Sequence, residues 1–201
     1  MIFLRYESFR GYLRLYPVTS VLLGMFIGVH ILDLLLPGTP LLDRGFFFQH
    51  PAFDRYGLGE PWRYATSIFL HANLEHLLYN CFSVLVFAPP LERLLGHWKY
   101  LLFFLLAGVL GNAISAVIHA SEGNMSVGAS GSIYGVFGAY LYLALFRKRA
   151  MDEASRKTIF AILIFGLIYS VISPRINIWA HIGGGIAGFA MMRAFLLTSR
   201  K

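Results

Sequence analysis

Apolar residues run along this chain in six blocks, separated by short breaks rich in glycine, proline or charge. Blocks of this length and polarity predict membrane-spanning helices over about 17–36, 73–88, 98–118, 130–146, 158–172 and 180–197. The first opens on Pro17, which a first helical turn tolerates, and stops at Pro37-Gly38-Thr39-Pro40; the second stops at Pro89-Pro90. Residues 1–16 form a basic, aromatic lead-in whose Tyr6, Tyr12 and Tyr16 suit a headgroup region. Between the first two blocks, Phe46, Phe47, Phe48, Phe53, Tyr56, Trp62 and Tyr64 make the long first loop too aromatic to float in water, so it should lie in the interface. The pattern thus predicts an all-α polytopic membrane protein, with an N-terminal segment over 1–16 and one six-helix core over 17–201.

Composition agrees: 57% of the 201 residues are hydrophobic and 13% charged, the mean hydropathy is +0.64, and soluble domains carry roughly a quarter charged residues. The net charge of +7 does not point to nucleic acid, because no long basic face accompanies it. Placed on alternate sides of the six blocks, thirteen of the seventeen Lys and Arg fall on one side; Arg44, Arg55, Arg63 and Arg175 fall on the other. That bias predicts both termini in the cytoplasm and the first loop outside, in a multi-pass protein of a prokaryotic inner membrane. The single cysteine, Cys81, excludes an intramolecular disulfide. His30 and Asp33, one turn apart near the end of the first block, read as partners of each other or as snorkelling side chains with no chemical role.

Gly128-Ala129-Ser130-Gly131 interrupts this apolar sequence with a hydroxyl between glycines at the mouth of a helix, and Trp179-Ala180-His181-Ile182-Gly183-Gly184 opens the last one. Hydroxyl and imidazole are costly in hydrocarbon unless partnered, and a serine becomes a nucleophile only when a base takes its proton. Gly131-x-x-x-Gly135 and Gly184-x-x-x-Gly188 are small-residue faces that let two helix backbones touch, which would bring Ser130 and His181 to one depth near the outer face. Tyr134, one turn after Ser130, can stack on the histidine. His76 and Asn80 share a face of the second helix and can hold an oxyanion, in which case the helix N-terminus at Ser130 adds its own amide. Each has a plainer reading: a packing serine, a satisfied intramembrane histidine, an interhelical aromatic, and an i, i+4 hydrogen bond between His76 and Asn80. Asn177, four before His181, can orient it or form a turn.

Trp62-Arg63, the run from His71 through His76 to Asn80, Glu92-Arg93-Leu94-Leu95-Gly96, Gly128-Ala129-Ser130-Gly131 with Tyr134, and Ala180-His181-Ile182-Gly183-Gly184 occur in the order found in rhomboid intramembrane serine proteases, which the chain resembles. The resemblance implies a six-transmembrane-helix rhomboid-like bundle with an interfacial first loop. It also implies a Ser130–His181 dyad acting through an acyl-enzyme, His76 and Asn80 at the oxyanion, Tyr134 supporting the histidine, and Trp62, Arg63 and Glu92 anchoring the loop. No cofactor or metal is implied, and the partners are transmembrane protein substrates and membrane lipids. The fourth helix, 17 residues at 1.5 Å each or roughly 26 Å, is short for a bilayer, so its start should lie in a wet cavity, with 173–179 as a movable cap above it.

Three rivals remain at this level. A catalytically silent relative would bind or escort membrane proteins, but those typically lack the serine or histidine. A small transporter would use broken helices and midplane polar groups, although no internal repeat is visible. A metalloprotease would need His71, Glu75, His76 and His97, whose order is not His-Glu-x-x-His and whose last member falls on the other side of the membrane.

Overall fold

The computed structural model describes residues 2–4, 6–173 and 176–198. Pro174 and Arg175 of the expected cap, and Arg5, Arg200 and Lys201 of the charge tally, lie outside them. The chain is mostly helical: α1 (Phe9–Leu15), α2 (Pro17–Leu35), α3 (Pro40–Gly45), α4 (Arg63–Thr66), α5 (Leu74–Leu95), α6 (His97–Ile118), α7 (Ser130–Phe146), α8 (Glu153–Ile172) and α9 (Ile178–Thr198). Five of these, α2, α5, α6, α8 and α9, are long and apolar enough to cross a membrane, and α7 is a shorter apolar helix of 17 residues. This is an integral, multi-pass helical membrane protein.

At the centre stands α7, buried on every side from Gly131 to Tyr140. It packs most extensively against α9 and then α6, and glycine sets the spacing. A Cβ on Gly184 would collide with the Gly131 carbonyl, one on Gly188 with the Gly135 carbonyl, and one on Gly138 with the Gly185 carbonyl. The two small-residue faces therefore meet backbone to backbone. On the third side a Cβ at Gly111 of α6 would lie 2.7 Å from the Ala180 carbonyl of α9.

Four expectations need correction. The second helix does not stop at Ala88; α5 runs through Pro89 and Pro90 to Leu95. Proline removes the amide that would bond the carbonyl four residues back, but the Leu85 carbonyl, which Pro89 leaves without that donor, takes a hydrogen bond from the Tyr12 hydroxyl at 3.1 Å. Tyr12 and Tyr16 accordingly point inward and are buried, not at the headgroups. Glu92 does not anchor the first loop: fully buried near the far end of α5, it accepts the Val18 amide (3.0 Å), the Thr19 amide (2.8 Å) and the Thr19 hydroxyl (2.5 Å), and contacts His97 Nδ1 at 2.7 Å. It thus caps the free amides at the start of α2, which have no acceptor inside their own helix. Asp33 likewise takes the Leu41 and Leu42 amides of α3, at 2.7 and 3.2 Å, with no bond to His30.

The first loop is built, not loose. Its β1 (Phe47–Gln49) pairs antiparallel with β2 (Asn124–Ser126), the strand ahead of α7, with Phe47 opposite Ser126 and Gln49 opposite Asn124. Arg63 binds the carbonyls of Asp43 (3.1 Å) and Phe46 (2.9 Å) and the Glu60 carboxylate (2.7 Å). The Trp62 side chain is half exposed.

Glycine spacing gives a direct test. Gly188→Val should lower the thermal unfolding midpoint by the equivalent of about 1–3 kcal/mol or prevent folding, since overpacking a tight contact carries that cost. Gly24→Ala, where no atom lies within 4 Å of the added carbon, should leave it unchanged or raise it. Equal effects of the two would mean that backbone contact does not set the packing.

Candidate active site

Ser130 is the first residue of α7, so its amide has no acceptor within its own helix. The segment leading into it is fixed from the first loop, first by the β1–β2 pairing and then by the Gly128 amide, which donates to the Ser67 carbonyl at 2.8 Å. Gly128 adopts a φ of +116°, which favours glycine, and a Cβ there would sit 2.6 Å from His76 Nε2. The Cε1–Nε2 edge of the His76 ring of α5 thus lies against the backbone two residues before Ser130.

His181 is the fourth residue of α9 and is buried. A Cβ on Gly131 would be 3.5 Å from the Ala180 carbonyl, so the chain next to Ser130 faces the chain next to His181. The Tyr134 ring stacks on the imidazole with centroids 4.2 Å apart and planes 13° apart. His181 Nδ1 lies 2.8 Å from the hydroxyl of Ser170, on α8. No hydrogen bond joins the Ser130 hydroxyl to the ring among the described residues; such contacts often close only when substrate binds.

Asn80 is buried on α5, one turn after His76, and its amide donates to the His76 carbonyl at 2.8 Å. That uses one of its two N–H groups, while its Oδ1 is buried without a partner. His71, just ahead of α5, is buried, its ring 5.3 Å from that of His76. Burial first, then the neighbouring His76 and His30, lowers its pKa to about 3, so the ring is neutral at ordinary pH. Trp62, Arg63 and Glu92 stand away from this cluster, the first two in the loop and the third near the end of α5, against the start of α2.

Sequence reasoning missed a second polar layer. Asn112 of α6 donates to the Tyr64 carbonyl and the Ser67 hydroxyl, both at 3.0 Å. Ser115, one turn on, donates to Asn177 Oδ1 at 2.9 Å and accepts from Asn124 at 3.1 Å. Asn177 Oδ1 also accepts the Ala180 amide at 3.0 Å, so its side chain caps α9, and it meets His181 through its backbone carbonyl, which accepts the His181 amide at 3.3 Å. The layer joins the first loop, α6, β2 and the start of α9. Its sequence signal was present in Asn112 and Ser115, polar side chains three apart in an otherwise apolar helix, as was that for Ser170.

A family model described as "Rhomboid domain" matches residues 58–198, which span every element of the cluster. The chain belongs to the rhomboid family. Among relatives of this family, "Putative rhomboid protease YdcA" of Bacillus subtilis (strain 168) is 36% identical over 204 residues, covering 100% of this chain and 98% of that protein. "Rhomboid protease GluP" of the same organism is 36% identical over 131 residues, 65% of this chain and 25% of the relative. "RHOMBOID-like protein 6, mitochondrial" of Arabidopsis thaliana is 35% identical over 138 residues, 66% of this chain and 43% of that one. The rhomboid domain here is thus found both nearly alone, as in the first relative, and within much longer chains.

Gly128→Ala should lower the unfolding midpoint by the equivalent of about 1–3 kcal/mol, the cost of holding a side chain in a sparsely populated backbone region, and displace the His76 ring. Thermal unfolding followed by circular dichroism measures it. An unchanged midpoint would show that the ring does not rest on this backbone.

Proposed function

We propose that this rhomboid-family protein is an intramembrane serine endopeptidase that cleaves transmembrane segments of other membrane proteins near the outer face. The observation that carries this reading is the Gly131–Ala180 contact, which sets the starts of α7 and α9 against each other with Ser130 and His181 beside the contact. Six helices then cross the membrane, both termini are cytoplasmic, and residues 1–16 precede the catalytic core.

In the first step the Ser130 Oγ attacks the carbonyl carbon of the scissile peptide bond while His181 takes the hydroxyl proton. The carbonyl oxygen becomes an oxyanion, accepting from the Ser130 amide, from His76 and from the second N–H of Asn80. As the tetrahedral intermediate collapses, the C–N bond breaks and His181 gives its proton to the departing amine, leaving an ester on Ser130. Water, activated by the same histidine, attacks that ester and releases the carboxylic acid and the free serine. No acidic third member enters, since the other ring nitrogen of His181, Nδ1, meets the Ser170 hydroxyl at 2.8 Å.

Location follows from length. α7 is too short to cross a bilayer of about 30 Å fully, so its first residue lies below the surface. The peptide bond must come to it there, from a substrate helix that has unwound locally, since a helical carbonyl is already bonded and shielded. Small side chains near the cut are what such a site accepts.

Purified protein should cleave a type I transmembrane substrate in detergent, and Ser130→Ala and His181→Ala, each still folded, should each lower the rate by about a thousandfold or more. Retention of wild-type cleavage by either variant would remove the assignment. Failure of the wild type itself, with ion flux through reconstituted vesicles, would favour the transporter instead.

A further inference from the structure

Ser170 has no part in the steps above, yet its hydroxyl makes three contacts in the interior: the Gly166 carbonyl at 2.7 Å, His181 Nδ1 at 2.8 Å and the Tyr134 hydroxyl at 3.3 Å. From this geometry we infer that Ser170 is a positioning residue that fixes the tautomer of His181, filling from a neighbouring helix the place that a carboxylate holds in a serine-protease triad. The inference rests on the proposed role of His181 as a base.

Counting protons gives the direction. A serine hydroxyl has one hydrogen and two lone pairs. The Gly166 carbonyl can only accept, so the serine proton is committed to it, as is usual for serine one turn after a helix carbonyl. Ser170 Oγ must therefore accept at its other two contacts, from the Tyr134 hydroxyl and from His181 Nδ1–H. In a neutral imidazole a proton on Nδ1 leaves the lone pair on Nε2. Nε2 is then the nitrogen free to take a proton from Ser130. The opposite tautomer would present an N–H to the nucleophile and could not act as its base.

Burial makes the bond count. Ser170 and His181 are 3% and 7% exposed, so water does not compete for Nδ1 as it would at a surface. The two neighbours divide the work: stacked Tyr134 fixes the plane of the ring, and Ser170 fixes its rotation and proton within that plane. Ser170 is also one of only three buried residues of α8 among those described, with Ser155 and Ile159 more than two turns back, and with Gly166, which lies against the Tyr134 hydroxyl, it holds the end of that helix to the interior. Correct protonation of the base thereby depends on α8 lying against the bundle.

Two readouts test this on full-length protein. Nitrogen-15 spectra of histidine-labelled protein in lipid, with the His181 signals assigned by their loss in His181→Gln, should show His181 protonated on Nδ1 in the wild type and losing that preference in Ser170→Ala. Cleavage of a transmembrane substrate by Ser170→Ala should fall about tenfold or more in kcat, within the range that general-base catalysis supplies, with KM changed less than about twofold. Ser170→Thr, which keeps both the hydroxyl and its bond to the preceding turn, should restore most of the loss. Wild-type protonation on Nε2, a full kcat in Ser170→Ala, or a lower kcat with the tautomer preference unchanged would each overturn the inference. The spectra read the ring whether or not the protein is a protease, so an inactive wild type with Nδ1–H would sink the proteolysis reading and leave the tautomer assignment standing.

Discussion

The contact between α7 and α9 is made by backbone, and most of what is distinctive in this protein follows from it. In lipid there is little hydrophobic gain in bringing two apolar helices together, so they associate through close packing and polar contacts. Here the side chains that would hold the axes apart are missing at Gly131, Gly135, Gly138, Gly184, Gly185 and Gly188, and carbonyls of one helix press on α-carbons of the other. At such a separation the starts of both helices lie together. Ser130 and His181 occupy those positions, next to the Gly131–Ala180 contact.

Around this pair the protein deals with the free backbone groups that a membrane cannot satisfy. Glu92 takes the amides at the start of α2, Asp33 those of α3, Asn73 the His76 amide at the start of α5, and Asn177 the Ala180 amide at the start of α9. α7, like α6, has no side-chain cap at its N-terminus. A helix start without a side-chain cap carries partial positive charge, and here it stands beside a hydroxyl and the edge of the His76 ring. What sets α7 apart from α6 is the company its start keeps, with Ser130 as its first residue and His76 beside the preceding turn.

Much of this was legible in the order of residues. The limits of α7 were readable because a small-residue run begins it and Arg147-Lys148-Arg149 ends it. The glycine faces were readable from their spacing alone. The end of α5 was not, since two prolines are a stop signal unless another part of the chain supplies donors, and Tyr12, which donates to the Leu85 carbonyl, comes from 73 residues away. Glu92 was misplaced for the same reason: its partners on α2 are distant in sequence. The β1–β2 pair joins segments of three residues each, too short to carry an alternation that stands out from a loop. Ser170 went unremarked because a lone hydroxyl in an apolar helix is commonly spent on its own backbone, and here one of its contacts is of that kind.

The chemistry rests on one hydroxyl being activated among seven histidines and many serines. Reaction of the detergent-solubilised protein with a fluorophosphonate, followed by mass spectrometric mapping of the adduct, asks this of the molecule without any knowledge of its substrate. The account predicts a single phosphonylated residue, Ser130, and no adduct when His181 is replaced by alanine. Modification at another residue, no modification of the folded wild type, or labelling that ignores the loss of His181 would contradict it.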